Sequence, residues 1–444
     1  MSKLYINWII SISLYIYQYI LRISPNVMNE QIITKYSLNA DQFASLGSLY
    51  FITYAVLQLP MGRIMDSVGV KRVMLFSITV CFISSLIFPF IENFALTQLT
   101  RSLMGVGSAA ALLCSLKIIA DNFDNRQKSV LMGITLASGT LAAFVIGNLL
   151  ITLMGAIGWI NVCHLISLLG FIILIFIFFM KDSNQQLATP QSTQQPNGDG
   201  SFSEESTKLV RNDNDNDDDK SSISSIIQDF YKSFVSIISN RYIMMYALFS
   251  INAYAPVAVF ANLWGTSFLA AKFQLNNEIA SHLSLYMYPG LTAGSIILPA
   301  LCRTYKHLKY SIIFSVISTL SIIMVLVWSQ HISNINIAIL MTAMGFFCGA
   351  EVMCFSAAIR FSNKSNTGEI MGMVNAVNIL FSALFQQIIG FIIRQTWNGT
   401  SNIDGTPIYT ASNYVSAFNV MIATMLISIT FCIFLNKGGD KHIK

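Results

Sequence analysis

Trp159-Ile160-Asn161-Val162-Cys163-His164-Leu165-Ile166-Ser167-Leu168-Leu169-Gly170-Phe171-Ile172-Ile173-Leu174-Ile175-Phe176-Ile177-Phe178-Phe179-Met180 is followed at once by Lys181-Asp182 and then by a stretch dominated by Gln, Asn, Ser and Asp. A helix of about 20 apolar residues crosses about 30 Å of hydrocarbon while satisfying every backbone hydrogen bond within itself, which is what this run is suited to do. The polar stretch behind it, including Asn212-Asp213-Asn214-Asp215-Asn216-Asp217-Asp218-Asp219, cannot bury enough apolar surface to fold. The boundary at Met180 therefore reads as the end of one membrane bundle and the start of a linker.

Working outward, the chain repeats that apolar pattern on both sides. Of its 444 residues 54% are hydrophobic and 11% charged, where a soluble domain carries about a quarter charged residues. Five spans precede the quoted one: Tyr5 to Asn29, Gln42 to Met65, Arg72 to Ile91, Phe94 to Ile119 and Ser129 to Leu153. Six follow the linker: Tyr242 to Ala271, Ile279 to Leu301, Tyr310 to Ser329, Ile335 to Arg360, Glu369 to Arg394 and Tyr414 to Leu435. The expectation is an all-α membrane protein of twelve transmembrane helices in two pseudo-symmetric six-helix bundles, with no strands. Residues 1–180 form the first bundle, 181–239 a disordered linker whose end at 223–238 is mildly amphipathic, 240–436 the second bundle and 437–444 a tail. The first span contains Arg22 and lacks a small-residue cleavage site, so it is expected to be a retained helix and not a signal peptide.

The net charge of +5 reflects orientation and no nucleic-acid stripe. With the N-terminus cytoplasmic, 20 of the 26 Lys and Arg fall on that side, Lys35, Lys272 and Arg394 fall opposite, and Arg22, Arg101 and Lys117 lie within spans. Both termini and the linker are accordingly expected to be cytoplasmic. The seven cysteines, Cys81, Cys114, Cys163, Cys302, Cys348, Cys354 and Cys432, have no metal-ligand spacing and read as packing residues.

Between the second and third spans stands Gly62-Arg63-Ile64-Met65-Asp66-Ser67-Val68-Gly69-Val70-Lys71-Arg72. Glycine at 62 permits close helix approach, Gly69 permits a turn, and Asp66 can sit against the positive end of a neighbouring helix. This loop resembles the cytoplasmic signature loop of the major facilitator superfamily, with Ser67 standing where a basic residue usually follows the acid. Arg101-Ser102-Leu103-Met104-Gly105 resembles that superfamily's Arg-x-x-x-Gly motif, and the 6+6 layout extends the likeness over nearly the whole chain. The resemblance implies alternating access, a conformational latch at Gly62, Asp66, Gly69, Lys71 and Arg72, and a coupling or gating role for Arg101. In the second-half loop Ala300, Thr304 and His307 stand opposite Gly62, Asp66 and Gly69, so the repeat loses the acid and the latch belongs mainly to the first half.

Charges inside spans carry the most functional information, because each costs at least about 2.5 kcal/mol in hydrocarbon and usually faces a partner or a watery cavity. Tyr15, Gln18, Tyr19 and Arg22 share one helical face, which suits a carboxylate-bearing solute. The alternative is that Arg22 snorkels to the outer surface, unless the first helix runs on past Pro25 towards Thr34. Glu351 in the tenth span is the candidate for carrying a proton or for a structural ion pair, and Lys117 for coupling or snorkelling. Asn252, Tyr254, Asn262 and Trp264 in the seventh span and Asn375, Asn378, Gln386 and Gln387 in the eleventh supply neutral polar lining, or tie helices together. Gly345 and Gly349 form a small-xxx-small packing face, and Pro256, Pro289 and Pro299 allow bends.

The fifth span lacks the Gly-Pro pair of the superfamily's drug exporters, and no phosphate-binding Gly-Lys loop, metal cluster or nucleophile constellation is present. The reading is a secondary transporter of a small anionic or zwitterionic nutrient, an organic acid, amino acid or short peptide, and not an enzyme. Arg22-Ile23-Ser24-Pro25 is also similar to nutrient-type bacterial carriers, which places the chain in a bacterial inner membrane; Asn398-Gly399-Thr400 would be a glycosylation site only in a eukaryote. The expected partners are a small-molecule substrate, the lipid bilayer and protons as the coupling ion, with no nucleic acid, no cofactor and a monomeric assembly. An exporter of hydrophobic compounds and a transporter-like receptor acting through its linker are the rival readings. Deleting Asn184 to Lys220 should leave solute flux in proteoliposomes largely intact, since that span adds reach and no core; lost flux in a properly inserted deletion variant would give the linker an active role.

Overall fold

The computed structural model describes residues 3–180, 235, 239–302, 305–359, 367–403 and 405–435. The expected linker, apart from residues 235 and 239, and the tail lie outside the described residues. The first half comprises α1 (Lys3–Val27), α2 (Asn29–Tyr36), α3 (Ala40–Val68), α4 (Val70–Ile87), α5 (Phe94–Ser108), α6 (Ala111–Asn122), α7 (Asn125–Ile157) and α8 (Trp159–Phe179). In the second half come α9 (Arg241–Pro256), a π-helical segment (Val257–Trp264), α10 (Gly265–Phe273), α11 (Asn277–Leu285), α12 (Met287–Leu301), α13 (Tyr305–Trp328), α14 (Asn334–Cys348), α15 (Glu351–Ile359), α16 (Thr367–Gln395) and α17 (Ala411–Leu435). Among the described residues the only extended pairing is one isolated bridge, Ser401 to Pro407.

Ten helices among the described residues are long and apolar enough to cross a membrane. The other two crossings are α3, which carries Asp41, Gln42, Gln58, Arg63 and Asp66, and the α11–α12 pair, interrupted at Tyr286. The total is twelve, six in each half. Large apolar side chains such as Val145, Phe179, Phe314, Ile335 and Ile427 stay exposed on the outside of the bundle, where lipid covers them. Short polar caps set where the helices start: Asn39, Asn93, Asp124, Asn240, Asn276 and Ser333 each accept from backbone N–H groups of the first turn. At Asn39 the cap is reciprocal, because Gln42 also accepts from Asn39 N at 3.0 Å, and α3 begins two residues before the Gln42 expected from hydropathy.

Several crossings are broken, and two pairs of breaks follow the duplication, while the break at Tyr286 in the eighth crossing has no counterpart in α3. The fourth span divides at Ala109-Ala110 and its repeat, the tenth, at Gly349-Ala350. The first span bends at Met28 and continues as α2 to Tyr36, so Arg22 sits well inside the crossing. Its repeat, the seventh, widens after Pro256 into π-helix. A β-carbon on Gly265 would lie 2.0 Å from Phe260 O, so glycine is what lets the widened turn close.

The tightest crossing is between α12 and α14. β-Carbons on Gly290 and Gly294 would lie 1.9 Å from Thr342 O and Phe346 O, and one on Gly345 would lie 1.9 Å from Met287 O. Gly345 and Gly349 thus meet a matching glycine pair on α12, and without a hydrophobic drive between helices in lipid such backbone approach is what holds them.

The two halves meet unequally at the two faces of the bundle. On the face opposite the termini, Asn26 and Asn29 bond to the seventh and eighth spans, Asn277 donates to Glu30 at 2.8 Å, Tyr409 OH accepts from Ala40 N at 2.9 Å, and Asp41 receives Gln387 at 2.5 Å and Arg394 at 3.4 Å. His282 on α11 is bonded to Asn148 on α7 there as well. Away from that face the described residues supply fewer such bonds, among them Asn375 to Gln58 at 2.8 Å on the terminal side and Thr140 to Thr292 at 2.6 Å near the middle. This conformation is closed at the far face.

Gly345→Ala should lower the stability of the detergent-solubilised protein by about 1–3 kcal/mol, because the new methyl has no room. Gly133→Ala in α7, where nothing lies within 4 Å of the added carbon, should leave the unfolding temperature unchanged or higher; equal effects of the two would show that the α12–α14 crossing is not tightly packed in the membrane protein.

Candidate functional site

Arg22 lies at the centre of the bundle and is 6% exposed. Spacings of three and four residues put Tyr15, Gln18, Tyr19 and Arg22 on the face of α1 that looks into the space between the halves. The guanidinium carbon stands 4.8 Å from the Tyr19 ring centre, 5.2 Å from that of Tyr54 and 5.3 Å from that of Phe51, the last two from α3. With its amide oxygen turned to the guanidinium, Gln18 accepts from Nε at 3.0 Å and Nη2 at 2.6 Å, and from Tyr50 OH at 3.2 Å. Nη1 donates to Tyr254 OH at 2.8 Å, across the boundary between the halves. No described carboxylate pairs with Arg22. Ring faces and neutral oxygens hold a full positive charge, each desolvated cation–π contact contributing about 2 kcal/mol.

The second half brings its own polar groups to the same level. Glu351, at the start of α15 and half-buried, accepts from Asn378 Nδ2 of α16 at 2.5 Å. Asn262 in the π segment accepts from Tyr288 OH at 2.6 Å, and Tyr288 packs edge-on to Tyr19 with ring centres 6.4 Å apart. Asn378 Oδ1 and Asn262 Nδ2 are buried with no protein partner, leaving one acceptor and one donor free. Arg22 and Glu351 do not bond to each other. Gly139 of α7 completes the wall: a β-carbon there would lie 2.6 Å from the Tyr19 ring and 2.7 Å from that of Tyr15.

Other residues singled out in the sequence are used elsewhere. Asn252 donates to Leu248 O at 2.8 Å and to Ser428 at 2.5 Å, tying α9 to α17. Trp264 donates to Gln386 O at 3.2 Å, and Gln386 donates to Ala258 O at 2.6 Å, both in the packing of α16 on the π segment. Asn375 is taken by Gln58 of α3, and Gln387 by Asp41 and Ser48 on the far face. Lys117 lies near the end of α6 and pairs with Asp121 at 3.6 Å. The six described cysteines form no disulfide with one another, and five of them are buried; the side chain of Cys432 lies outside the described residues.

Sequence reading missed the aromatic contribution of α3 and α12. Tyr50, Phe51, Tyr54 and Tyr288 are buried to within a few per cent of zero exposure. Their signal was present, since Tyr50 and Tyr54 are one turn apart, but aromatic residues at helical spacing look the same in any apolar core.

A family model described as Major Facilitator Superfamily matches residues 8–386. The chain belongs to the major facilitator superfamily. It is 27% identical over 157 residues, 35% of each chain, to the "Probable L-galactonate transporter" of Escherichia coli (strain K12). It is 32% identical over 165 residues, 35% of this chain and 32% of the relative, to the vesicular acetylcholine transporter of Torpedo marmorata. The matches span about a third of these relatives' length. Among solved structures, the nucleoside transporter NupG superposes with a TM-score of 0.70 at 12% identity over 98% of this chain and 100% of that one. A bacterial homologue of the human lysosomal transporter Spinster gives 0.68 at 12% identity, over 98% and 97%. At that identity the likeness is one of fold.

Two superfamily motifs take definite form here. Arg101 is 1% exposed, stands 5.0 Å from the Tyr50 ring centre and donates to Leu46 O at 3.2 Å, Leu21 O at 2.9 Å and Ser24 Oγ at 3.3 Å. It therefore clamps α1 and α3 to α5 through backbone carbonyls and a hydroxyl. Gly105, one turn on, lets α5 approach α3, since a β-carbon would lie 2.3 Å from Tyr50 O. In the loop, Gly69 has φ +89°, which a side chain would strain, and joins α3 to α4 in one residue. Nothing among the described residues comes within 4 Å of a β-carbon on Gly62. Lys71 is half-buried and Arg72 exposed; the side chains of Arg63 and Asp66 lie outside the described residues.

Tyr254→Phe should cost about 1.5–3 kcal/mol of stability in detergent, as expected for a hydrogen bond to a buried charge. An unchanged unfolding midpoint would show that the Arg22–Tyr254 contact does not hold the halves together.

Proposed function

We propose that this chain is a secondary active carrier, with no catalytic step, that moves a small anionic or zwitterionic nutrient by alternating access and couples it to protons moving the same way. The observation that carries the reading is Arg22, a buried guanidinium between the halves with aromatic faces around it and no carboxylate among the described residues paired with it. A planar two-pronged donor in such a place is suited to a solute carboxylate, which would take over the contacts of Gln18 and Tyr254. Glu351, with Asn378, offers a proton-exchanging carboxylate on the opposite half, and a zwitterion could be held between the two. A relative named for L-galactonate, a carboxylate, agrees with this charge.

The relatives named for acetylcholine suggest a cation instead, and tyrosine rings do attract quaternary ammonium groups. Here, however, the faces of Tyr19, Phe51 and Tyr54 are already turned to Arg22. A cationic solute would meet like charge. The asymmetry of Lys and Arg supports cytoplasmic termini, and we place the protein in a bacterial inner membrane as a monomer. In that orientation the closed far face would be the outer one. Asp66 would latch the opposite state.

The test is flux in proteoliposomes with carboxylate solutes. Arg22→Lys should raise the apparent KM about tenfold or more, because an ammonium keeps the charge and loses the planar geometry. Glu351→Gln should still exchange solute and fail to accumulate it under a pH gradient. Unchanged affinity in Arg22→Lys and Arg22→Ala would remove the anionic substrate, and full gradient-driven accumulation in Glu351→Gln would leave Glu351 a structural partner of Asn378.

A further inference from the structure

The side-chain amide of Asn26 makes three hydrogen bonds, all to the second half, and has no part in the Arg22 site. It lies one helical turn from Arg22 on α1, towards the far face, and its side chain is fully buried. Nδ2 donates to Ala261 O at 3.0 Å and to Ser284 Oγ at 2.9 Å, and Oδ1 accepts from Thr266 N at 3.0 Å. Three elements of the second half, the π segment, α10 and α11, are thus bound by one side chain of the first.

The identity of the two backbone groups matters. Ala261 O and Thr266 N are five residues apart, the pair that a continuing π-helix would join directly. The widened segment ends at Trp264 and ordinary α-helix resumes at Gly265, where the change of register loosens the backbone's own pairing. Asn26 reaches in at that point with a donor for the carbonyl and an acceptor for the N–H. Each buried backbone group left without a partner in the membrane costs several kcal/mol, so the widened helix and the inserted amide stabilise each other.

We propose that Asn26 is a splint for the seventh crossing that couples its π register to closure of the far face. With the amide inserted, the halves are locked on that side. When the halves part, Asn26 leaves, and Ala261 O and Thr266 N must turn back to partners within their own helix, so the register of residues 257–266 changes with the gate. Gly265 permits the widened turn, and Ser284, which accepts from Asn26 while donating to Ser281 O at 2.8 Å, keeps the latter bond within α11. The inference uses the alternating motion of the two halves and is independent of what Arg22 binds.

The experiment is double electron–electron resonance with spin labels at Glu92 and Glu278, exposed residues on the far face of the two halves, in a background without reactive native cysteines and in lipid nanodiscs. Wild type should show mainly the short distance. Asn26→Ala should raise the ratio of long to short distance about tenfold, as loss of one to two net hydrogen bonds gives. Ser284→Ala, which removes one of the three partners, should raise it about threefold, and Tyr17→Phe, which loses a buried bond to Ser85 within one half, should leave it unchanged. A ratio unmoved by Asn26→Ala while Asp41→Asn raises it would overturn the splint and leave the moving halves in place. No change in any far-face variant would overturn both.

Discussion

A guanidinium buried between two helix bundles, with no described carboxylate bonded to it, is the constraint around which the rest of this protein is arranged. Moving that charge into hydrocarbon is costly, and the structure meets the cost with ring faces and neutral oxygens. Tyr19, Phe51 and Tyr54 surround Arg22, while Gln18 and Tyr254 accept its N–H groups. Those partners come from both halves of the duplication. Holding them in register requires α1 to bend at Met28, α7 to carry Gly139 against the tyrosines, and Arg101 to clamp α1 and α3 from behind.

The same arrangement separates rigid parts from those free to rearrange. Within each half close backbone contacts, as at Gly105 against Tyr50 and Gly345 against Met287, permit little change, and between the halves one such approach is made by Gly390 against Ala40. The polar contacts between the halves are side-chain hydrogen bonds, gathered on the far face through Asn26, Asn29, Asp41 and Asn148 and represented on the terminal side by Gln58 and Asn375. Such bonds are worth about 1 kcal/mol each, enough together to favour one closed face and small enough to exchange. Two stiff bundles joined by exchangeable polar contacts are what a superfamily carrier requires.

Much of this was legible in the sequence, for physical reasons that can be named. Hydrocarbon thickness fixes span length, so all twelve crossings were legible as apolar runs, including α3 with its polar ends and the interrupted α11–α12 pair, which fall outside the ten helices among the described residues that are both long enough and apolar enough. Arg22, Gln18, Tyr15 and Tyr19 share a face by helical arithmetic alone, and Gly345 with Gly349 announced a close crossing. What stayed hidden depends on the partner helix. Tyr50, Tyr54 and Tyr288 look like core residues until Arg22 stands among them, and Asn252 and Trp264 look like lining until Ser428 and Gln386 O are found bonded to them. The π segment at Val257–Trp264 has no compositional mark beyond Pro256 and Gly265. Asn26 reads as an ordinary polar residue near a helix end, because its role exists only in contact with a backbone 235 residues away.

The central claim is that the charge of Arg22 is kept open for a solute carboxylate. A thermal-shift comparison of paired small solutes, each carboxylate beside its own primary amide, on the wild-type protein and on Arg22→Gln tests it most directly. The account predicts that at least one carboxylate raises the unfolding temperature of the wild type, that its amide does not, and that the difference disappears in Arg22→Gln. Stabilisation by amide and carboxylate alike, or a carboxylate effect that survives the loss of Arg22, would contradict it.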